Sequence, residues 1–320
     1  MTTALMNKIA PIAPYLINKC QAAFIKGRSI HNQIDLANCM IDLCKIINQD
    51  GVIVALDQEK AYDRIHHDYL WHMLKTIGIP PLTISSIKAL YSEPKTHVIL
   101  NREISDEFPI NHGVCQGDPL SCLLFNIAIE PLSAMLRESG KIQGLKITTP
   151  TLTQKNIVSL FADDATVYLS KDDEVSNLFE ILDTWCIASG AKFNRGKSIV
   201  IPVGLAEYCR NVLATQKLNP NTANSFHDDI VILQDGQTMR YLGAQCGNQV
   251  SGNNPWLDIM AKIKTSLKHW QKTYPTIEGC KLITQMVIGG MQAKYEKELT
   301  TLTKDFIWNS QPPTYHENPK

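Results

Sequence analysis

Asp57, Asp163 and Asp164 are the residues whose type and spacing could do chemistry in this 320-residue sequence. Asp163 and Asp164 are adjacent, preceded by Asn156-Ile157-Val158-Ser159-Leu160 and followed by Ala165-Thr166-Val167-Tyr168-Leu169. β-Branched and aromatic residues on both sides of a polar pair read as a β-hairpin with two carboxylates at its tip. Adjacent acids between apolar strands repel each other and resist burial unless a cation or water compensates them. Taken alone, the pair reads more plainly as a solvated turn, since Asp is a common turn former. Asp57, however, closes another apolar run, Val52-Ile53-Val54-Ala55-Leu56. If that run neighbours the hairpin in one sheet, at a strand spacing of about 5 Å, three carboxylates converge. Such a cluster suits two divalent ions about 4 Å apart, the device of two-metal phosphoryl transfer.

The elements that would position these acids follow from hydrophobic period and punctuation. Ser29 can cap a helix running to about residue 48, with Ile34, Ala37, Met40, Ile41, Cys44 and Ile47 at helical spacing and Asp50-Gly51 as its stop. A strand over 52–57 follows, then helices over 66–77 and roughly 82–91, separated by Gly78-Ile79-Pro80-Pro81. Residues 96–110 read as a second hairpin turning at Asn101-Arg102-Glu103. Pro119 suits the first turn of a helix reaching Ser139, with Gly140 at the left-handed cap position. Beyond the acidic hairpin, Asp172 or Asp173 starts a helix with an apolar stripe from Val175 to Cys186, ended by Gly190. A strand at 198–203, an irregular region over 216–228, a strand at 229–233 and Arg240-Tyr241-Leu242-Gly243 complete the mixed part. From Trp256 the pattern is helical, near 255–273, 278–298 and 300–308. Residues 1–20 show neither a helix start nor a strand partner.

A formal charge of zero gives no global basic field, so nucleic-acid binding would have to come from local patches. The nine cysteines form no C-x-x-C pair and no zinc spacing, and read as reduced core residues of an intracellular protein, nuclear or cytoplasmic. No run is long enough to span a membrane. Pro11 and Pro14 interrupt the N-terminal apolar residues where a signal peptide needs continuity.

Taken in order, these elements and motifs resemble the reverse transcriptases of non-LTR (LINE-type) retrotransposons. The matching stretches are Ala55-Leu56-Asp57-Gln58-Glu59-Lys60-Ala61-Tyr62-Asp63, Gly113-Val114-Cys115-Gln116-Gly117-Asp118-Pro119-Leu120-Ser121, Phe161-Ala162-Asp163-Asp164, the run from Ser189 to Ser198, and Tyr241-Leu242-Gly243. Gln21-Ala22-Ala23-Phe24 and Gly27-Arg28-Ser29 precede them, so the resemblance covers about residues 15–250. It implies an α+β fold: a right-hand polymerase palm, an antiparallel sheet backed by helices, with partial fingers and a helical thumb-like C-terminal part. By the same resemblance, residues 1–50 are a residual fingers segment, 51–250 the reverse transcriptase palm and 251–320 a helical connection. It further implies a truncated piece of a longer element, without that family's endonuclease domain or Cys/His knuckle.

The resemblance also implies roles. Asp57, Asp163 and Asp164 would hold two Mg²⁺ or Mn²⁺ ions for DNA synthesis from dNTP on an RNA template and a DNA primer. Tyr62 would stand against the sugar C2′ face and exclude ribonucleotides. Gln116 and Gly117 would contact the incoming nucleotide and template, Lys197 would protonate departing pyrophosphate, and Arg28 and Lys60 would contact phosphate. Each has a plainer reading beside it: Tyr62 as a core aromatic, the Gly-Asp-Pro loop as simple helix entry, the three cations as solvated surface. Cys115 stands where the family carries arginine and Cys122 where it carries proline. The rival readings are a catalytically silent remnant that binds nucleic acid weakly, and another two-metal enzyme on a similar palm, such as a nucleotide cyclase. Gln116-Gly117 before a helix and Tyr241-Leu242-Gly243 after the acidic hairpin favour a polymerase that holds a primer. Neither a membrane nor a partner protein is implied.

Overall fold

The computed structural model describes residues 2–115, 117–148, 153–222, 224–249, 254–272, 276–288, 301–303 and 306–307. The chain folds as two compact units, Met1–Val250 and Ser251–Lys320.

The first unit opens with helices α1 (Thr2–Ile9) and α2 (Ala13–Leu16), where the sequence offered no helix start. Leu5, Ile9, Ala13 and Ile17 recur every four residues and are all buried, so packing of one face replaces the missing cap. Helix α3 (Ile30–Ile46) begins as expected, its Ser29 hydroxyl accepting a hydrogen bond from the His31 N–H at 3.2 Å. Strand β1 (Gly51–Gln58) leads into a short helix α4 (Ala61–Arg64), then α5 (His67–Thr76) and α6 (Pro81–Leu90). Strands β2 (Lys95–Thr96), β3 (Ile99–Leu100), β4 (Glu103–Ile104) and β5 (Phe108–Pro109) nest as one hairpin, β3 with β4 inside β2 with β5. Its turn is Asn101-Arg102, both at positive φ, the two-residue geometry whose twist matches the flanking strands.

Helix α7 (Ser121–Glu138) starts two residues after Pro119, because the Asp118 carboxylate takes the Leu120 N–H at 2.8 Å and makes a separate turn of the entry. Strands β6 (Leu145–Thr148) and β7 (Thr153–Asn156) form a polar hairpin that the apolar pattern had not marked. Then come β8 (Val158–Phe161), β9 (Asp164–Ser170), α8 (Val175–Ser189), β10 (Phe193–Val203), α9 (Ala206–Thr215), β11 (Val231–Ile232), β12 (Met239–Tyr241) and β13 (Ala244–Cys246). Neither Asp172 nor Asp173 caps α8. Asp173 is buried, and its carboxylate accepts the N–H groups of Ser170, Gln143 and Gly144 at 2.8, 2.6 and 2.9 Å, tying β9 to the loop before β6.

Five strands make the central sheet in the order β11-β10-β1-β9-β8. β1 runs antiparallel to both β10 and β9, and β8 is antiparallel to β9. The sheet is antiparallel as expected, apart from the edge strand β11, which runs parallel to its neighbour β10. The period of two sends alternate residues of the central strands to opposite faces. Val52, Val54, Leu56, Val167, Leu169 and Val200 meet the core residues of α5, α7 and α8. Ile53, Tyr168, Ile201 and Val203 meet Ala37, Met40, Ile41 and Cys44 of α3 and Met239, Tyr241 and Cys246 of the β12–β13 hairpin. β1 is therefore buried on both sides, which explains its unbroken apolar run. Across α5, α7 and α8, the Trp185 indole donates to the Tyr69 hydroxyl at 3.0 Å, which donates to the Ala128 carbonyl at 3.0 Å.

In the second unit, α10 (Asn254–Gln271) and α11 (Ile277–Ile288) pack Met260, Ile263 and Leu267 with Cys280 and Phe306. The expected helix over 278–298 is described only as far as residue 288, and of that over 300–308 residues 301–303 and 306–307 are described, all helical. All nine cysteines are free, but Cys39 and Cys115 are exposed, contrary to the reading of the set as core residues. No described helix is long and apolar enough to cross a membrane.

Candidate active site

The strand register decides where the acids fall. Leu56 of β1 lies opposite Ala165 of β9, so the next residue of β1, Asp57, and the preceding residue of β9, Asp164, sit side by side at one end of neighbouring strands. Phe161 pairs with Asp164 across the β8–β9 hairpin, leaving Ala162 and Asp163 as its turn. All three acids thus gather at the same end of the sheet. The Asp164 carboxyl is pushed up to about 6, first by desolvation among surrounding protein atoms and then by the charges of Asp163 and Asp57. Their side chains stop short of a common centre: among the described residues no three His, Cys, Asp or Glu groups converge to hold a metal ion. The donor set itself fits hard divalent cations, carboxylate oxygens without sulfur or imidazole, and a cation would relieve the repulsion that raises Asp164.

Two devices that sequence reasoning missed hold the carboxylates. Opposite β10, β1 bulges between Ala55 and Asp57. Ser198, buried beneath the bulge, accepts the Asp57 N–H at 3.4 Å and donates to the Asn194 carbonyl at 2.8 Å. At the hairpin tip, two glutamines grip the turn backbone: Gln21 at Ala162 and Gln58 at the Asp163 carbonyl, 3.0 Å away. The only signals in the sequence were their places inside the matching stretches.

Tyr62, on α4, stacks on Phe125 of α7 with centroids 4.5 Å apart and planes 17° apart. Burial pushes its hydroxyl up, with Cys122 and Asp163 both within electrostatic reach. α4 is fixed by the loop after β5, where Val114 N–H donates to the Tyr62 carbonyl and Gly113 N–H to that of Ile65, each at 2.7 Å. Gly113 has φ +84°, and a Cβ there would lie 2.6 Å from the Tyr62 carbonyl oxygen, so only glycine permits this approach. Gly117, also at positive φ, faces open space, Cys115 is exposed, and Gln116 lies outside the described residues.

Lys60 is exposed at the left-handed N-cap of α4, and Lys197 is exposed on β10, three residues beyond the Asn194 that pairs with Asp57. Arg28 requires a correction. Its Nη1 donates to the carbonyls of Asn18 and Gln21, both at 2.6 Å, and its Nη2 to those of Ile17 and Pro14 at 2.8 and 3.2 Å. Both amino groups are committed to backbone, so Arg28 organises the loop ahead of α3 and does not offer its guanidinium fork to a phosphate.

The family model described as reverse transcriptase (RNA-dependent DNA polymerase) matches residues 1–246. That match takes in all three acids and every element that holds them. The chain belongs to the reverse transcriptase family. This reverse transcriptase chain is 27% identical over 195 residues to the transposon TX1 uncharacterized 149 kDa protein of Xenopus laevis, an alignment covering 61% of the chain and 15% of the relative. It is 31% identical over 126 residues to a retrovirus-related Pol polyprotein from type-1 retrotransposable element R2 of Popillia japonica, covering 39% of the chain and 20% of the relative. Both names are those of transposable elements, in keeping with the LINE-type resemblance. Telomerase from Candida albicans, solved with the TWJ fragment of telomeric RNA, superposes with a TM-score of 0.46 and 11% identity, covering 95% of this chain and 47% of that one.

Proposed function

We propose that this chain is an RNA-directed DNA polymerase that extends a DNA primer on an RNA template. The reading is carried by one observation: Asp57 and Asp164 are neighbours across β1 and β9, with Asp163 in the adjoining turn and the Asp164 carboxyl raised by that company. In this reading the three aspartates hold two Mg²⁺ or Mn²⁺ ions, which when bound would acidify the primer 3′-hydroxyl and neutralise charge on the transferring phosphates. Tyr62, braced by Phe125, bounds the space for the sugar at C2′ and rejects a 2′-hydroxyl by contact. Lys60 holds phosphate. Lys197 gives its proton to the departing pyrophosphate. Gln116 and Gly117 lie along the nascent base pair, glycine leaving room for its backbone approach. The helical second unit serves as the thumb-like part, residues 1–50 as fingers and residues 51–250 as palm.

Primer extension on a homopolymer RNA template, with Mg²⁺ or Mn²⁺, tests the proposal. The expected result is metal-dependent dNTP incorporation, lost by about 100- to 1,000-fold in Asp164→Asn, the scale on which removal of one electrostatic stabiliser acts. Extension that survives this substitution would overturn the assignment of the acids. Primer–template binding without any extension would favour the silent remnant.

A further inference from the structure

We propose that Gln21 is a positioning residue for the acidic turn, its side-chain amide holding Ala162 in a left-handed conformation and thereby setting where Asp163 and Asp164 present their carboxylates. The proposal rests on the reading of those acids as the catalytic site.

Ala162 has φ +55°, a region that alanine populates only with strain and glycine adopts freely. Two-residue hairpin turns of this kind favour Asn, Asp or Gly at such a position, and the local sequence Ala162-Asp163 supplies none of these where φ is positive. What holds the turn comes from far away in the chain. Gln21 is fully buried; its Nε2 donates to the Ala162 carbonyl at 3.3 Å, and its Oε1 accepts the N–H groups of Ala162 at 3.1 Å and Ala23 at 2.9 Å. Donor and acceptor of one residue are thus gripped by one planar amide, which fixes the orientation of that backbone as well as satisfying it. Ala162 is itself buried, so without Gln21 both groups would lack partners in a dry setting and the residue would relax toward negative φ.

The base of the clamp is rigid. Ala22 N–H donates to the Leu160 carbonyl at 2.9 Å, and Leu160 N–H donates to the Cys20 carbonyl at 2.8 Å, adding residues 20–22 to the edge of β8. Arg28 holds the Gln21 carbonyl, and the Asn126 side chain donates to the Ala23 carbonyl at 2.7 Å. From the other side, Gln58 donates to the Asp163 carbonyl. Since Gln58 follows Asp57 directly, the tip is referenced both to the fingers-side segment and to the strand carrying the third acid.

A mutant cycle on the full chain separates positioning from plain structural support. Gln21→Met keeps the length of the side chain but not its hydrogen bonds, and Ala162→Gly removes the need for the clamp by making positive φ easy. Three readouts apply: Mn²⁺ binding by calorimetry, amide hydrogen exchange in peptides covering residues 160–165, and kcat against KM in primer extension. Gln21→Met should weaken Mn²⁺ binding about tenfold, the scale of one lost buried hydrogen bond, and speed exchange at the turn. It should lower kcat with KM for dNTP little changed. Adding Ala162→Gly should restore most of the loss, a coupling that independent sites do not show. Should Gln21→Met not fold, the Gln21→Met/Ala162→Gly double variant should fold and bind Mn²⁺ close to wild type, with exchange at 160–165 near the wild-type rate. Unchanged exchange at 160–165, or a loss that glycine does not rescue, would overturn the proposal. If the wild-type chain extends no primer yet the exchange and Mn²⁺ data follow this pattern, the polymerase reading falls and the positioning role stands.

Discussion

A ring stacked on Phe125 and fixed at its own backbone by Gly113 and Val114 has little freedom to turn aside, so Tyr62 is suited to measuring a sugar by contact. Tyr62→Val should raise ribonucleotide use relative to deoxyribonucleotide use by roughly 10- to 100-fold, the range for one steric contact in a pocket. Competitive incorporation checks this, and an unchanged ratio would place the sugar elsewhere. For Asp164 the sign of the pH dependence follows from its raised value of about 6 against the ordinary 3.8. Between these values the folded chain binds more protons than the unfolded one, so in the absence of divalent metal this group makes stability fall as pH rises through that window and level off above it. Asp164→Asn should remove that slope in chemical denaturation at pH 4 to 7 without metal. Divalent-ion affinity should weaken as pH falls below about 6, because protons then compete for the same oxygens.

The elements around the acids are shaped by a few buried polar ties, each joining segments distant in sequence. Asp173 gathers three N–H groups from β9 and the loop before β6, and Ser198 locks the bulge that turns Asp57. Arg28 gathers four carbonyls of the loop that carries Gln21. Removing Arg28 leaves those carbonyls with one partner fewer, so Arg28→Ala should cost about 2–4 kcal/mol in chemical denaturation. The salt dependence of nucleic-acid binding should not change in that variant, whereas an arginine touching phosphate would reduce the slope by about one.

At the scale of the whole molecule, a formal charge of zero gives little long-range attraction toward a polyanion, so association with a primer–template must rest on local cations. Fluorescence anisotropy across a salt series should give a shallow log–log slope, of a few phosphates at most, since each contributes about −0.9 on duplex. Lys60→Ala and Lys197→Ala should each lower the slope by about one with little effect on folding, because both residues are exposed. An unaltered slope in both variants would move the phosphate path off this end of the sheet.

The sequence by itself determined the three acids, the apolar strands that carry them and most helices flanking the sheet, because these depend on periodicity and punctuation within a few residues. Ser29, Gly140 and Gly190 sit at their helix ends for reasons a short window contains. Only the tertiary structure decided the order β11-β10-β1-β9-β8 and the register that sets Asp57 beside Asp164. Strand neighbours are chosen by burial on both faces of the sheet, which no local pattern specifies. The same holds for α1 and α2, which form because their apolar faces find a core, and for Arg28, whose charge looks solvated in sequence and is enclosed by carbonyls in space. It holds most plainly for Gln21, 141 residues from the turn it grips: a hydrogen bond depends on atoms 3 Å apart, and chain separation carries no record of which distant segments will meet.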